Sequence, residues 1–281
     1  MRSNPVKEKL ARGENAFGTM VFEFFTPGIA QIAKNAGAEF ILYDMEHAGS
    51  EYTTMKEQFA YCRGLDIVPM VRVPTTQYHL VSRALDLGAL GIMVPMVETK
   101  EQAEAIVSYT RYPPRGLRGA AFGVAHDDYT GGDVKEKIGK AMERTFVICQ
   151  IETAKGVENA EAIAALDGVD CLWIGHFDLT NFMGIPAEFT NPKYLKAVEK
   201  VVALCQQYGK VAGFMPVDEK WAVDYLAKGF RIMAYGMDSM LLQAAMKHGI
   251  DLLHRHTGGA QGSAKKTARM ATAEISAKKG A

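Results

Sequence analysis

Residues 146–176, FVICQIETAKGVENAEAIAALDGVDCLWIGH, contain the repeating unit that decides the fold. The runs FVICQIE (146–152) and CLWIGH (171–176) are largely apolar at consecutive positions, which is typical of parallel strands buried on both faces. Between them, NAEAIAALDG (159–168) has the apolar spacing of a helix and ends in glycine, a frequent helix stop. The stretch therefore predicts one strand–helix–strand unit.

The same alternation recurs along the chain. Eight strand-like runs are FGTMVF (17–22), FILYDM (40–45), IVPMVRV (67–73), GIMVPMV (91–97), FVICQIE, CLWIGH, VAGFMPV (211–217) and RIMAYGM (231–237). Helical segments lie between them, among them TPGIAQIAKNAG (26–37), QYHLVSRALDLG (77–88), TKEQAEAIVSYT (99–110), NPKYLKAVEKVVALCQQYG (191–209) and DEKWAVDYLAKG (218–229). Eight alternations predict an α/β fold, a (β/α)8 TIM barrel. A doubly wound sheet is the alternative, because periodicity does not reveal closure.

Composition limits the classes of partner. The 281 residues include 32 Lys and Arg against 32 Asp and Glu, so no basic balance favours nucleic acid. No run approaches the roughly 20 apolar residues of a membrane span, and the N-terminus has no apolar signal core. The four cysteines form no CxxC pair and are typical of small core residues in a reducing compartment. We expect a soluble, cytoplasmic protein with neither a nucleic-acid nor a membrane partner.

Two segments stand outside the repeat. Residues 1–255 are predicted to form one catalytic barrel domain, followed by a Gly-, Ala- and Lys-rich tail (256–281) that is either a mobile end or a surface helix. The stretch RYPPRGLRGAAFGVAHDDYTGGD (111–133) is too long for a passive connector. Within it, HDD (126–128) lies among glycines and is interpreted as a solvated turn.

Ionisable side chains collect where the predicted strands end. In such barrels the reacting groups come from the C-terminal ends of several strands. The polar residues at those ends are Asp44, Glu46 and His47 after strand 2, Arg72 in strand 3, Gln150 and Glu152 in strand 5, and His176 and Asp178 after strand 6. Each alone is weakly specific, but their convergence from four strands predicts an active site.

Two of these acids are candidate metal ligands. Glu152 and Asp178 follow adjacent strands, so their carboxylates are expected to lie close together. Two oxygen donors, with room for water and substrate oxygens, suit a hard divalent ion such as Mg²⁺ or Mn²⁺. The alternative is that both are helix N-cap acids.

Six motifs carry a family resemblance. DMEH (44–47), VRVP (71–74), ALDLGALGIMVPMV (84–97), RYPPRGLRG (111–119), QIET (150–153) and WIGHFDLT (173–180) resemble, in order and spacing, the HpcH/HpaI family of metal-dependent class II pyruvate aldolases. The likeness runs from about residue 17 to 250. It implies a barrel that swaps its last helix between subunits, commonly as a hexamer built as a trimer of dimers. It also implies reversible aldol cleavage of a 4-hydroxy-2-oxo acid to pyruvate and an aldehyde.

The resemblance also implies roles for single residues. Glu152 and Asp178 would hold Mg²⁺, Mn²⁺ or Co²⁺, with Gln150 beside the metal. Arg72 would contact the ketone and carboxylate of pyruvate and stabilise the enolate as a fixed cationic donor. His47 would move the proton through metal-bound water, oriented by Asp44.

Three further residues follow from the same resemblance. Asp86 resembles an acid that reaches the site of a neighbouring subunit, the alternative being an exposed helix acid. His176 and Phe177 stand where the family often has proline and a small residue. We expect Phe177, with Asp178, to contact substrate and these two rings to alter the substrate range.

Three rival functions are open at this point. A Schiff-base aldolase needs a strand-end lysine inside the barrel, and neither Lys155 nor Lys210 is in that position. A citrate-lyase-like acyl-CoA lyase needs basic contacts for CoA phosphates, for which Arg111, Arg115 and Arg118 are the candidates. A non-enzymatic binding module gives no reason for an acid, a base, an arginine and a metal pair to occur together.

Overall fold

Eight parallel strands close into a barrel, which confirms the predicted TIM-barrel class. The computed structural model describes the backbone of residues 1–277 and the side chains of residues 1–257. The strands are Ala16–Val21 (β1), Phe40–Asp44 (β2), Val68–Arg72 (β3), Gly91–Val94 (β4), Phe146–Ile151 (β5), Cys171–Ile174 (β6), Val211–Phe214 (β7) and Ile232–Met237 (β8). Each strand pairs with the next, and β8 pairs with β1, so the doubly wound alternative is excluded.

Helices alternate with these strands. They are Pro5–Ala11 (α1), Ile29–Asn35 (α2), Tyr52–Tyr61 (α3), Tyr78–Asp86 (α4), Lys100–Thr110 (α5), Val134–Arg144 (α6), Ala154–Glu158 (α7), Ala160–Ala164 (α8), His176–Phe182 (α9), Pro192–Gln207 (α10), Glu219–Ala227 (α11) and Asp238–Ala277 (α12), with a 3₁₀ turn at Ala125–Asp127. The sequence patterns did not predict α1, α3, α6, α7 or α9. No helix in the described part of the chain is long and apolar enough to span a membrane.

The barrel has two apolar layers, and the alternation of each strand assigns residues to them. Along β2, Phe40 and Leu42 belong to the cluster inside the barrel, whereas Ile41 and Tyr43 belong to the cluster between strands and helices. Side chains in a strand point alternately to opposite faces. Asp44 therefore continues the inward series at the C-terminal end of β2, where the barrel opens.

Helix α1 covers the opposite end of the barrel. Its Val6 and Leu10 are buried in the interior cluster. Asn4 caps the helix by accepting from the Lys7 N–H, and its amide donates to the carbonyls of Leu90 and Arg144 at 3.0 and 2.9 Å. A segment without an apolar signal core thus closes the floor of the barrel with two apolar side chains.

The long segment 111–133 lies at this N-terminal end of the strands, because it joins the end of α5 to α6 ahead of β5. The interpretation of residues 126–128 as a solvated turn is wrong for its first two residues. His126 is 2% exposed and Asp127 is 0% exposed. Asp127 accepts from the Lys137 ammonium at 2.6 Å and from the Gly123 N–H at 2.8 Å. A buried cation and backbone donor replace the solvent expected from the local sequence.

The chain divides into two compact units, Met1–Asp238 and a second that begins at Ser239. This boundary differs from the one predicted at residue 255, because α12 is continuous from Asp238 to Ala277. The predicted tail (256–281) is therefore helical as far as Ala277, and residues 278–281 lie outside the described residues. A single catalytic domain ending at residue 255 stays a prediction.

Candidate active site

Alternation along four strands brings the predicted polar residues to the open end of the barrel. Leu42, Met70, Ile148 and Trp173 all belong to the interior cluster. Asp44, Arg72 and Gln150 each come two positions after one of these interior residues, namely Leu42, Met70 and Ile148. All three polar side chains are less than 7% exposed. Glu152 continues the inward series of β5 and is 2% exposed. The apolar interior of the barrel therefore ends in a layer of charged and amide side chains.

Arg72 is held between two carboxylates. Its Nε donates to Asp44 Oδ1 at 2.5 Å, and its Nη1 lies 3.1 Å from Glu46 Oε2. Asp44 has no solvent exposure, so the guanidinium supplies the charge that this buried carboxylate requires. The Phe22 ring lies 5.4 Å from the guanidinium carbon. These contacts fix the guanidinium plane at the mouth.

The imidazole of His47 is beside Glu46, which corrects the predicted pairing with Asp44. Asp44 Oδ2 accepts from the backbone N–H of His47 at 2.7 Å. The His47 Nε2 is 3.7 Å from Glu46 Oε2, and 55% of the side chain is exposed. A turn does bring residues 44 and 47 together, but Asp44 uses its oxygens on the backbone and on Arg72. Glu46 is the carboxylate that faces both the imidazole and the guanidinium.

Glu152 is positioned by two donors. Its Oε1 accepts from the backbone N–H of Met96 at 2.7 Å, and its Oε2 accepts from the Gln150 amide at 2.7 Å. Met96 has a φ of 54°, a left-handed conformation that is unusual for a residue other than glycine. That conformation aims a backbone donor from the end of β4 at the carboxylate that follows β5.

Gly175 makes room for this carboxylate. A Cβ atom at position 175 would lie 2.2 Å from Glu152 Oε2 and 2.7 Å from Gln150 Nε2. Any larger residue at the end of β6 would displace one or both side chains, since contacts that short do not occur. Sequence reasoning did not single out Gly175; the only signal is its position directly after a buried strand.

Four carboxylates at the mouth influence one another. Burial raises the pKa of Glu152 to about 8, and the negative charges of Glu46 and Asp178 raise it further. The hydrogen bond from the Met96 N–H and the charge of Arg72 act in the opposite direction and lower this pKa. Burial also raises the pKa of Glu46, with contributions from Asp44 and Asp178. Asp178, in the first turn of α9, is therefore close to both groups. Such a concentration of negative charge favours a cation.

The donor set fits a hard divalent cation. Glu152 and Asp178 offer carboxylate oxygens, and the buried Gln150 Oε1 has no hydrogen-bond partner among the described residues. Within residues 1–257, no group of three or more His, Cys, Asp and Glu side chains has the arrangement of a complete metal site. Two carboxylates would leave the other positions of an ion to water and substrate oxygens.

His176 does not join the charged layer. Its ring is 4% exposed and lies 5.1 to 5.5 Å from the rings of Phe189, Phe214 and Trp221. Burial lowers the pKa of His176 to about 4, so the imidazole is neutral at physiological pH. Aromatic side chains enclose this ring, and an effect of His176 on the substrate range stays a prediction.

Asp86 is not brought together with the other predicted residues. It is the last residue of α4, a helix that leads from the mouth to the N-terminal end of the barrel. Its Oδ1 accepts from Arg118 Nη2 at 2.7 Å, so Asp86 is part of an ion pair rather than an isolated exposed acid. Within its own chain it belongs to the opposite end, and a role in a neighbouring subunit's site stays a prediction.

Comparisons with known proteins identify the family of this chain. The sequence profile of the HpcH/HpaI aldolase/citrate lyase family matches residues 19–245. A 2-keto-3-deoxy-L-rhamnonate aldolase of Klebsiella pneumoniae is 34% identical, over 87% of this chain and 91% of the relative. A hydroxypyruvate/pyruvate aldolase of Deinococcus radiodurans is also 34% identical, over 87% and 88%.

A solved structure gives the same result for the fold. The HpcH/HpaI aldolase of Desulfitobacterium hafniense superposes with a TM-score of 0.86 at 28% identity, covering 90% of this chain and 97% of that one. The profile match covers well over half of the residues. The chain therefore belongs to the HpcH/HpaI aldolase/citrate lyase family and is a carbon–carbon lyase of the aldolase type.

Proposed function

We propose that the protein catalyses reversible, metal-dependent aldol cleavage of a 4-hydroxy-2-oxo acid to pyruvate, or a close 2-oxo acid, and an aldehyde. The observation that carries this proposal is the layer of Arg72, Glu46, His47 and Glu152, with Asp178 nearby, at one mouth. The reaction needs a cationic site for the developing enolate and a group that exchanges a proton with the 4-hydroxyl. This layer offers both.

Arg72 is proposed to bind the pyruvate half. Its guanidinium is always protonated and is held in one orientation by Asp44 and Glu46. A fixed donor needs little reorganisation as charge develops on the ketone oxygen. The Gln150 amide donates to Glu152 at 2.7 Å, and its carbonyl oxygen, which has no partner among the described residues, is available to the same site.

His47 is proposed to move the proton of the aldol oxygen. Its imidazole is accessible to substrate, and the Glu46 carboxylate supports it from one side, with Oε2 3.7 Å from the ring Nε2. We assign this support to Glu46 because the oxygens of Asp44 are engaged elsewhere. Asp44 then acts as a positioning residue for Arg72 and for the turn that carries His47.

Glu152 and Asp178 are proposed to hold Mg²⁺, Mn²⁺ or Co²⁺, with Gln150 beside the ion. A bound divalent ion acts as a Lewis acid that stabilises negative charge on the ketone oxygen during carbon–carbon cleavage. The protein's part is to keep Glu152 in place through the Met96 N–H and through the space left by Gly175.

The contacts of the lysines and arginines that the two rival enzyme functions require give those functions less support. Lys155 is exposed and pairs with Glu98 at 3.2 Å, and Lys210 donates to the Leu166 carbonyl at 2.9 Å; neither enters the barrel interior as a Schiff base requires. For the acyl-CoA lyase, Arg111 pairs with Asp167 and Arg118 with Asp86. Both arginines follow α5 at the end of the barrel opposite the mouth.

The test is an aldol assay with controlled metal content. Pyruvate and hydroxypyruvate are incubated with a panel of aldehydes, using protein dialysed against EDTA and protein resupplied with Mg²⁺, Mn²⁺ or Co²⁺. We expect addition products only where metal is returned, because the acids at the mouth otherwise repel the enolate. Full activity without metal, with covalent trapping by borohydride, would instead identify a Schiff-base enzyme.

We also propose a homo-oligomer, a hexamer built as a trimer of dimers with exchanged C-terminal helices. The barrel unit leaves Ile32 and Val223 more than 60% exposed. The C-terminal helix leaves apolar residues exposed at helical spacing, Leu242, Met246, Ile250 and Leu253. Association would bury both apolar surfaces.

A cytoplasmic location remains our expectation, supported by four buried free cysteines.

Light scattering should therefore give a multiple of the 30.7 kDa chain mass at micromolar concentration. Replacing Leu242 and Met246 together by serine should lower the assembly state, since both side chains are half-exposed in the helix. A monomer for the unmodified protein would remove the assembly and, with it, the intersubunit role of Asp86.

A further inference from the structure

The mouth of the barrel has an apolar sector beside the charged one. Phe22 follows β1 and Met215 follows β7, and both pack on the interior cluster while remaining partly exposed. Because they lie just beyond the C-terminal ends of their strands, their exposed surfaces border the mouth. The Phe22 ring centroid is 5.4 Å from the Arg72 guanidinium carbon. An apolar surface therefore lies next to the group that we assign to pyruvate.

Phe177 adds an aromatic ring on the β6 side. It immediately precedes Asp178 in the first turn of α9 and is 52% exposed. Its ring centroid lies 4.6 Å from that of His176 and 5.3 Å from that of Phe189. These neighbours brace the ring, so Phe177 offers a fixed, half-exposed apolar face at the position that precedes a proposed metal ligand.

Within the part of the chain whose side chains are described, the charged sector offers no lysine or arginine that is free to pair with a second acidic group. The sector contains four carboxylates, those of Asp44, Glu46, Glu152 and Asp178, and one guanidinium, that of Arg72. Arg72 already contacts two of them, and the nearby Lys155 pairs with Glu98. Even with a divalent ion bound, the pyruvate carboxylate adds to this negative charge. An aldehyde with its own carboxylate would be repelled and left without a partner in this part of the subunit.

We infer that the aldehyde partner is uncharged and carries an apolar alkyl or aryl group, and that Phe177 determines this specificity. The inference rests on the proposed aldolase function and names the class of its second substrate. In the addition, the methyl carbon of pyruvate loses one proton and bonds to the aldehyde carbon, while the aldehyde oxygen gains one proton. Only the remaining group of the aldehyde then distinguishes one substrate from another at the apolar sector.

Butanal and succinic semialdehyde provide a matched test. Both have four carbons, and they differ by a terminal methyl group against a terminal carboxylate. With pyruvate and Mn²⁺, we expect kcat/KM for butanal to exceed that for succinic semialdehyde by at least about 10-fold, the lower end of what one apolar contact contributes. Benzaldehyde should be accepted as well. A preference for succinic semialdehyde, or equal values, would overturn the inference.

Variants assign the effect to Phe177. Phe177→Ala should lower the ratio of kcat/KM for butanal to kcat/KM for succinic semialdehyde by about 10-fold, whereas Phe177→Leu should retain most of the preference. Phe182→Ala is the matched control, because Phe182 is 56% exposed at the other end of α9. An unchanged ratio in Phe177→Ala would overturn the role of this residue.

A reaction without aldehyde separates this inference from the proposed function. Exchange of the pyruvate methyl protons with deuterated water reports enolate formation alone. Normal exchange without a preference for butanal would overturn only the aldehyde class. Absence of exchange in the metal-loaded wild-type protein would overturn the proposed function and the inference with it.

Discussion

Glu152→Gln is expected to abolish aldol cleavage and to weaken Mn²⁺ binding by more than about 100-fold, since even residues that only support metal ligands contribute 10- to 100-fold. The substitution keeps the shape of a side chain that is 2% exposed but removes its charge. The amide oxygen can still accept from the Met96 N–H, as Glu152 Oε1 does at 2.7 Å. Calorimetric titration with Mn²⁺ and an aldol assay measure the two effects separately.

Stability distinguishes a lost ligand from a damaged fold. The pKa of Glu152, about 8, lies above the ordinary glutamate value of 4.5. In metal-free protein this buried acid therefore destabilises the folded state as the pH rises above that ordinary value. Glu152→Gln should melt at least as high as the wild type at pH 7 in EDTA. Glu104→Gln, a half-exposed acid paired with Lys100, is the control that should keep activity and Mn²⁺ binding.

Gly175→Ala tests the same carboxylate in another way, because it displaces the Glu152 side chain and leaves its charge unchanged. The added methyl would lie 2.2 Å from Glu152 Oε2, so the carboxylate or the Gln150 amide must move. We expect Mn²⁺ affinity and turnover to fall in this variant although all predicted ligands remain. Normal Mn²⁺ binding in both Glu152→Gln and Gly175→Ala would contradict the assignment of Glu152 to the metal.

Arg72→Lys is expected to lose cleavage by about 10²–10³-fold, the size typical of one lost oxyanion donor. An ammonium keeps the positive charge next to the fully buried Asp44 but lacks the planar donor fork. Arg72→Ala would lose activity too, but it also leaves Asp44 buried without its cation, a change that costs about 3–5 kcal/mol of stability. The lysine variant is therefore the cleaner test.

Two measurements, aldol cleavage and deuterium exchange into the methyl group of pyruvate, distinguish the role of Arg72 from that of His47. Arg72→Lys should lose both cleavage and deuterium exchange into the pyruvate methyl group, because both pass through the enolate. His47→Ala should slow cleavage by roughly 10²–10⁴, as expected for a general base, while pyruvate still binds. Arg83→Ala, which removes an arginine stacked on Tyr52 at 4.3 Å, is the matched control. Normal turnover per folded molecule in both site variants would end these assignments.

The amino-acid sequence was sufficient to predict eight buried strands that alternate with helices and the polar residues at the strand ends, whereas closure of the sheet into a barrel came from the structure. Apolar runs at eight places predict buried parallel strands, and a period of two along each strand places Asp44, Arg72 and Gln150 on the inward side. Both signals are local, because they depend only on residues that adjoin one another in the chain. The resemblance carried by motifs such as QIET (150–153) has the same local character, and the family it indicated is confirmed.

Contacts between distant segments were decided only by the tertiary structure. Both Asp44 and Glu46 lie within three residues of His47, and a turn could bring either carboxylate to the imidazole. Arg72 on the next strand engages Asp44 through its Nε, and Glu46 is the carboxylate that faces the imidazole. The need for glycine at position 175 arises from Glu152 on a neighbouring strand.

Contacts between distant segments also explain why the structure differs from the sequence-based expectations for residues 126–127 and for Asp86. His126 and Asp127 have a turn-like local sequence, but Lys137 and the barrel floor bury them. Asp86 lies at a helix end where only its partner Arg118, 32 residues away, shows that it is paired. Local sequence fixes which face of an element a side chain occupies. The identity of its partner depends on distances between elements, which exist only once the barrel has closed.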